Sequence, residues 1–444
     1  MQVFKAFTLL VCLCFASLLW AGSAEDSRHL LYRAGFGPEL NFVKYMEPLD
    51  RESSVQLLLD QVPVKRNPPA CVTEPIPAKS IRKGWNKRER KSFRTARKQC
   101  SSQLKVWYVD KLLFTNAVLQ AQMTLFWHNH FTSSLRKVKE PQLIYQQHLL
   151  LEQNALGNFN ELLQAVVQDP AMLLYLDNVN NKKGKPNENL ARELLELFTM
   201  GEGSYSEQDV KALARSLTGL IVDSESYETV FNIRNHDKRD KLLLGSKGRL
   251  GANEAVDIIL AQPQTARFIT EKIWLNFVSE IDEREIGRLS AVFAEDWDIR
   301  KLVKSVLLSQ AFWADSGRMI KSPLELVIGS SRMLDTRMVS SDLMVKSVSR
   351  MGQDLFDPPN VKGWPFGSEW INTDSLIVRV NFGERLSRGL VNEYMRQQQG
   401  YICSTGMPEK LAALPPGRLF QEKTSSVCAD RIEDLLIDPV WQLK

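Results

Sequence analysis

The chain reads as an all-α protein, a multi-helix body with long irregular loops. Apolar residues recur at helical spacing through most of it, and strand-like alternation of β-branched residues is scarce. Helix formers with abundant Leu dominate a composition that is 44% hydrophobic and 25% charged. At 444 residues it is long enough for a large core.

Met1 to Lys5 is a short, weakly positive start, Ala6 to Trp20 is an apolar run, and Gly22-Ser23-Ala24 supplies small residues before Glu25-Asp26. The run matches a signal-peptide core and falls short of the roughly 18–20 residues that span a bilayer. Residues 1–24 are therefore expected to be a cleaved signal peptide, with retention as an anchor as the alternative. The expected location is periplasmic or secreted. Removal of that segment leaves Cys71, Cys100, Cys403 and Cys428. An even count in an exported chain points to disulfides. Local pairing, Cys71 with Cys100 and Cys403 with Cys428, is expected because each pair flanks one irregular polar segment; free thiols are the alternative.

The domain reading follows: a large helical domain over 25–390, with a basic, disulfide-closed insertion at 63–103, and a tail over 391–444. Within the insertion, residues 79–98 hold ten Lys or Arg and one Glu, while the whole chain has a formal net charge of +5, so the remainder is net acidic. The Pro-rich flanks read as surface loop. Such a segment suits lipid headgroups or an anionic surface polymer, with Trp85 and Phe93 available for stacking, and the plain reading is a solvated insertion. Nucleic acid is not an expected partner of an exported chain.

After it, 103–131 reads as one long helix and 143–168 as one or two more. "NENLARELLELFTMG" (187–201) sets Leu190, Leu194, Leu195, Leu197 and Phe198 on half a helical wheel and Glu188, Arg192, Glu193 and Glu196 on the other half. Asn187 or Asn189 starts it and Gly201 ends it. The polar mouth Asn187-Glu188-Asn189 has two readings, a network that holds the fold or a site. Ser206 and Asp209 form a capping-box-like start, and Gly219 stops that helix. Further helices fit 253–261, 264–279, 283–294, 298–309, 321–335 and 373–396. "LFDPPNVKGWPFGSEW" (355–370) is a rigid loop of Pro, Gly and Trp, read as a lid packed on the core or as an aromatic platform for a sugar or peptide.

Two of the five His stand in "LFWHNHF". His128 and His130 lie about 200° apart on a helix, where one metal would not take both, and share a face in an extended segment. His236-Asp237 is a second polar pair, from a loop. A divalent metal on His128, His130 and His236, completed by a carboxylate at Glu188 or Glu193, is one reading. Histidines bonded to backbone are the other. No GxSxG, P-loop, strand-borne GxGxxG, HExxH or papain-like Cys context is present, which leaves serine-hydrolase, NTPase and dinucleotide functions without a motif.

"RHLLYRAGFGP" (28–38), "MTLFWHNHFTSS" (123–134), "NENLARELLELFTMGEGSYSEQDVKALARSLTGL" (187–220), "HD" with "LLG" (236–245), "PQTARFITEKIWLNFV" (263–278), "KSPLE" (321–325) and the 355–382 block stand in the order seen in the bacterial domain-of-unknown-function 1800 family. The chain resembles that family over most of residues 28–390. The resemblance implies an exported, mostly helical protein, often encoded beside a second exported family, domain of unknown function 1501, that resembles sulfatases. It carries over no catalytic role. The family often shows His where this chain has Phe198, and a small-residue or acidic turn where the helix near Asn253 begins. The basic insertion and the tail look particular to this chain.

Two functions stand on this reading. The first is an exported, non-catalytic envelope or extracellular assembly and binding protein, working with a sulfatase-like secreted partner or a surface polymer. The second is an exported hydrolase whose site, metal-assisted or not, is drawn from His128, His130, Glu188, Arg192, Glu193, His236 and Asp237. It requires those residues to meet in one cleft.

Overall fold

The computed structural model describes residues 23–334, 340–387 and 434–444, and they are mostly helical. The expected signal peptide, up to residue 22, and the expected pair Cys403 and Cys428 lie outside the described residues. No described helix is long and apolar enough to cross a membrane.

The first helix, Ala24–Ala34, is capped by Ser23, whose hydroxyl accepts from the Asp26 amide at 3.0 Å. It buries Leu30, Leu31 and Tyr32 together with one cation, Arg33. The Arg33 guanidinium donates to the Phe277 carbonyl and to Asp315 Oδ2, both at 2.7 Å, and to the Asp315 carbonyl. Asp315 Oδ2 also accepts from the Ser279 amide at 2.8 Å, and Oδ1 from the Ser279 hydroxyl at 2.5 Å. One buried ion pair thus ties the first helix to the ends of helices Pro263–Phe277 and Gln310–Ala314. The turn after the first helix lies against helix Pro323–Met333, where the Phe36 carbonyl occupies the space a side chain at Gly329 would need.

The cationic part of the insertion is largely helix, Lys79–Lys83 and then Lys87 onward, while most of its Pro-rich flanks are irregular as expected. A capping box between Asn86 and Glu89 opens a 28-residue helix, Lys87–Phe114, so the cationic run forms its first turns. Lys, Arg, Glu and Gln are good helix formers, and their charge disfavours burial rather than helix. The local pairing expected for the first two cysteines is present: Cys71 and Cys100 are joined.

The helix expected over 103–131 is two, Lys87–Phe114 and Val118–His130. Thr115 is extended, and its hydroxyl accepts from the Ala117 amide at 3.1 Å, a local bond that competes with continued helix. The carbonyls freed at the break are taken by buried Arg332, which donates to Leu112 at 2.8 Å and Thr115 at 2.9 Å.

The remaining helices lie within a few residues of their expected bounds: Pro141–Gln153, Phe159–Val167, Asn189–Glu196, Glu207–Ser216, Ala252–Leu260, Pro263–Phe277, Glu283–Asp296, Ile299–Leu307 and Pro323–Met333; the helix expected over 373–396 is described as Thr373–Ser387, and its expected remainder lies outside the described residues. Two small antiparallel hairpins interrupt them, Leu220–Val222 with Thr229–Phe231 and Lys241–Leu243 with Ser246–Gly248. The loop at 355–370 is clamped to helix Val118–His130: the Trp364 amide donates to Asn129 Oδ1 at 2.6 Å, and Gly363, at φ +92°, lets Asn129 stand where a side chain would be. Phe356, Trp364 and Trp370 are buried, which is the packed-lid arrangement.

The end of the expected tail belongs to the body. Leu435, Leu436, Val440 and Trp441 are buried, and Leu443 bridges Ile320 antiparallel. The Trp441 indole donates to Ser330 Oγ at 2.9 Å, and the Lys321 ammonium donates to the Trp441 carbonyl at 2.7 Å.

Two expected outcomes follow. Arg33→Met strands Asp315 as an unpaired buried charge and lowers the stability measured by urea unfolding by about 3–5 kcal/mol, whereas adding Asp315→Leu recovers part of that loss. Replacing Cys71 and Cys100 by Ala opens a loop of sequence separation 29, which the chain-entropy relation sets at about 3.5 kcal/mol, with the circular-dichroism spectrum of the folded chain unchanged.

Candidate functional site

The acidic stretch that stands out in the sequence holds the fold. Helix Asn189–Glu196 buries Leu190, Ala191, Leu194 and Leu195. Arg192, on its outer side, meets Glu188 at 3.3 Å and grips Glu207 of the next helix with two bonds of 2.7 and 2.9 Å. Burial and then the neighbouring Glu196 raise the Glu193 carboxyl above its usual range. Glu196 accepts from the Tyr205 hydroxyl at 3.0 Å. At the mouth, Asn187 accepts from the Asn189 amide and donates its own amide to Asn181, both at 3.0 Å. Asn181 donates to the Ala214 carbonyl, and Asn178 to those of Leu217 and Leu220. These amides close the backbone of one loop onto the next helix.

The histidines do not converge. His128 and His130 sit on helix Val118–His130, facing apart as helical spacing requires. His128 Nε2 lies 3.0 Å from Nδ1 of His148, a partner the sequence reading missed, and the two rings stack at 5.2 Å beside Tyr108 and Phe356. His130 Nε2 donates to the Phe198 carbonyl at 3.0 Å. Phe198, at the position where the resembled family often shows His, is fully buried. His236 Nδ1 donates to the Thr218 carbonyl at 2.8 Å. Asp237 is held by Arg215 at 2.9 Å and Arg239 at 2.7 Å, and the Arg239 bond is the main cause that holds its carboxyl far below the usual range. The metal set His128, His130 and His236 is corrected accordingly. Each ring is committed to its own neighbour, and among the described residues no three His, Cys, Asp or Glu are grouped as metal ligands.

The basic segment faces solvent with much of its charge uncommitted. Helix Lys79–Lys83 leads into Lys87–Phe114, and residues 87–92 are all exposed. Lys87, Lys91, Arg94 and Lys98 recur at i, i+4, i+7 and i+11, so they fall within about 60° of one another in a stripe about 16 Å long. Among the described residues none of the four takes part in an ion pair; the pairs of this segment are Arg82 and Arg97 with Glu140, at 3.3 and 3.0 Å. Beside the stripe is a groove of about 430 Å³ walled by Arg82, Arg90, Arg94 and Arg97, over Trp85 and Phe93, whose rings meet edge-on at 5.0 Å. The segment is seated on the body by Glu140, by the Tyr227 hydroxyl against Arg82, and by the Lys79 amide donating to the Ser224 carbonyl at 3.0 Å. Glu140 and Tyr227 were not singled out from sequence, since nothing in their spacing marks them as supports for residues so far along the chain.

Burial lowers His29 to about 4, His128 and His130 to about 3, and His148 well below its ordinary value. The unfolded chain takes up protons on these four rings below about 6.5, whereas the folded chain does so only at much lower pH. Their stabilisation is fully present above about 6.5 and falls as pH drops through that window. Asp169, pushed up to about 7 by burial, acts in the opposite direction as one group against four. Urea midpoints are therefore expected to fall steeply from pH 6.5 to about 5, corresponding to several kcal/mol in all, and His130→Gln flattens that slope.

A family model described as "Protein of unknown function (DUF1800)" matches residues 29–441, taking in the basic segment and most of the expected tail. No curated protein and no solved structure matches the chain. With the match running over nearly its whole length, this chain belongs to the DUF1800 family.

Proposed function

We propose that this protein is an exported, non-catalytic binding protein of the cell envelope that docks on a linear anionic polymer through residues 79–98. The observation that carries the reading is the stripe Lys87, Lys91, Arg94 and Lys98 on a helix pinned by Cys71–Cys100. Its cations are spaced about 4.5 to 6 Å along the axis, comparable to the repeat of charges on an extended acidic chain. Phe93 and Ala96 are the only apolar residues in 87–99, so the helix lacks the apolar face with which amphipathic helices enter a bilayer. A linear polyanion is therefore favoured over lipid headgroups. A disulfide in the structure agrees with an oxidising compartment and hence with export. A sulfatase-like secreted partner of the domain-of-unknown-function 1501 family fits the same reading, because a sulfate ester is itself an anionic group on such a polymer.

The test is salt-dependent binding of the full chain to heparin, a linear sulfated polysaccharide. Binding is expected to weaken linearly in log salt. The variant K87Q/K91Q/R94Q/K98Q should lower that slope by about three, at roughly 0.7–0.9 per lost contact. Unchanged binding by the variant, or capture on phosphatidylglycerol vesicles with none on heparin, would overturn the proposal.

A further inference from the structure

A second surface, independent of the basic arm, has the make-up of a small-molecule site. Helix Val118–His130 turns Gln122, Phe126 and Asn129 to one side, at i, i+4 and i+7, away from His128 and beside His130, on whose ring Phe126 stacks at 6.0 Å. Helix Pro263–Phe277 brings Lys272 and Asn276 opposite them, and the Pro-Gly-Trp loop closes the space with Lys362, Trp364, Phe366 and Trp370. The enclosed cleft measures about 290 Å³, just below the usual range for ligand pockets and sufficient for one ring rather than an oligomer.

Its charged side chains are cationic in balance, three lysines against one carboxylate. The carboxylate on its floor, Glu325, is committed: Oε1 accepts from Gln122 at 3.2 Å and from the Lys444 ammonium, and Oε2 from the Ser322 amide at 2.8 Å. Asn129 Oδ1 is taken by the Trp364 amide, and Gln353 Oε1 by the Leu324 amide at 2.8 Å. The amides of Asn129 and Gln353 thus have their NH2 groups left to offer. Lys272 and Lys362 line the cleft, and among the described residues neither is in an ion pair; the Lys272 ammonium lies 5.3 Å from the Phe268 ring centre. Trp364 lines the cleft at 6% exposure, with its indole nitrogen buried out of reach of a ligand there.

We infer that this cleft binds a carboxylate-bearing pyranose, a uronic-acid-type sugar. The donors and the two lysines call for an anion rich in acceptors. The plates of Phe126, Phe366 and Trp370 call for an apolar ring face, which a pyranose supplies on its C–H side and an inorganic anion does not. The Asn129 and Gln353 amides donate to its oxygens, and Lys362 or Lys272 balances its charge.

The experiment is calorimetric titration of the full chain with glucuronate, glucose and acetyl-dialanine. Glucuronate is expected to saturate with glucose at least about tenfold weaker. Phe366→Ala, which removes an exposed plate of the cleft, should weaken glucuronate by about tenfold or more. Lys362→Met should narrow the preference for glucuronate over glucose. The variant K87Q/K91Q/R94Q/K98Q should bind glucuronate as the parent does, so the cleft is judged apart from the arm. Absence of saturation by glucuronate, equal affinity for glucose, tighter binding of the dipeptide, or an unaffected Phe366→Ala would each overturn the assignment.

Discussion

The pairing of Arg33 with Asp315 is the constraint on which the arrangement of helices rests. Desolvating two charges is expensive, and the pair survives because further hydrogen bonds support both ions: the Phe277 and Asp315 carbonyls on one side, the Ser279 amide and hydroxyl on the other. Hydrophobic burial would tolerate many relative positions of the first helix. The ion pair permits few, since a guanidinium bound to a carboxylate and two carbonyls has a set direction. It fixes where helix Pro263–Phe277 ends, and through that helix one wall of the cleft that holds Lys272 and Asn276.

How much of this was legible in the sequence depended on how local the determining contacts are. The helix Glu207–Ser216 was readable because its capping box, Ser206 with Asp209, lies within four residues. The outward face of Asn189–Glu196 was readable from its apolar stripe. The break at Thr115 was not, because what stabilises it is a guanidinium more than two hundred residues later, at Arg332. The expectation of a loop at 79–98 confused exposure with irregularity; the Asn86–Glu89 cap was there to be read. The end of the tail looked peripheral because its core residues, Leu435, Leu436 and Trp441, follow a long polar stretch.

The candidate site divides along the same line. The histidines drew notice as reactive residue types, yet their roles are decided by neighbours that single-sequence spacing does not reveal: His148 for one ring, the carbonyls of Phe198 and Thr218 for the others. The cationic stripe was partly readable, since ten positive residues in twenty is a compositional fact, but its order along one face needed the helix. The cleft was the least readable. Amides, lysines and tryptophans are ordinary surface and core residues until three distant segments bring their uncommitted donors together.

The cross-link between Cys71 and Cys100 falls in the middle of helix Lys87–Phe114, with the cationic stripe on one side and the deeply packed Leu104, Val109 and Leu112 on the other. Fraying that starts in the solvated cationic turns therefore meets a covalent joint before it reaches the interior. The disulfide separates a helix end free to unwind from a helix end that the core holds fixed.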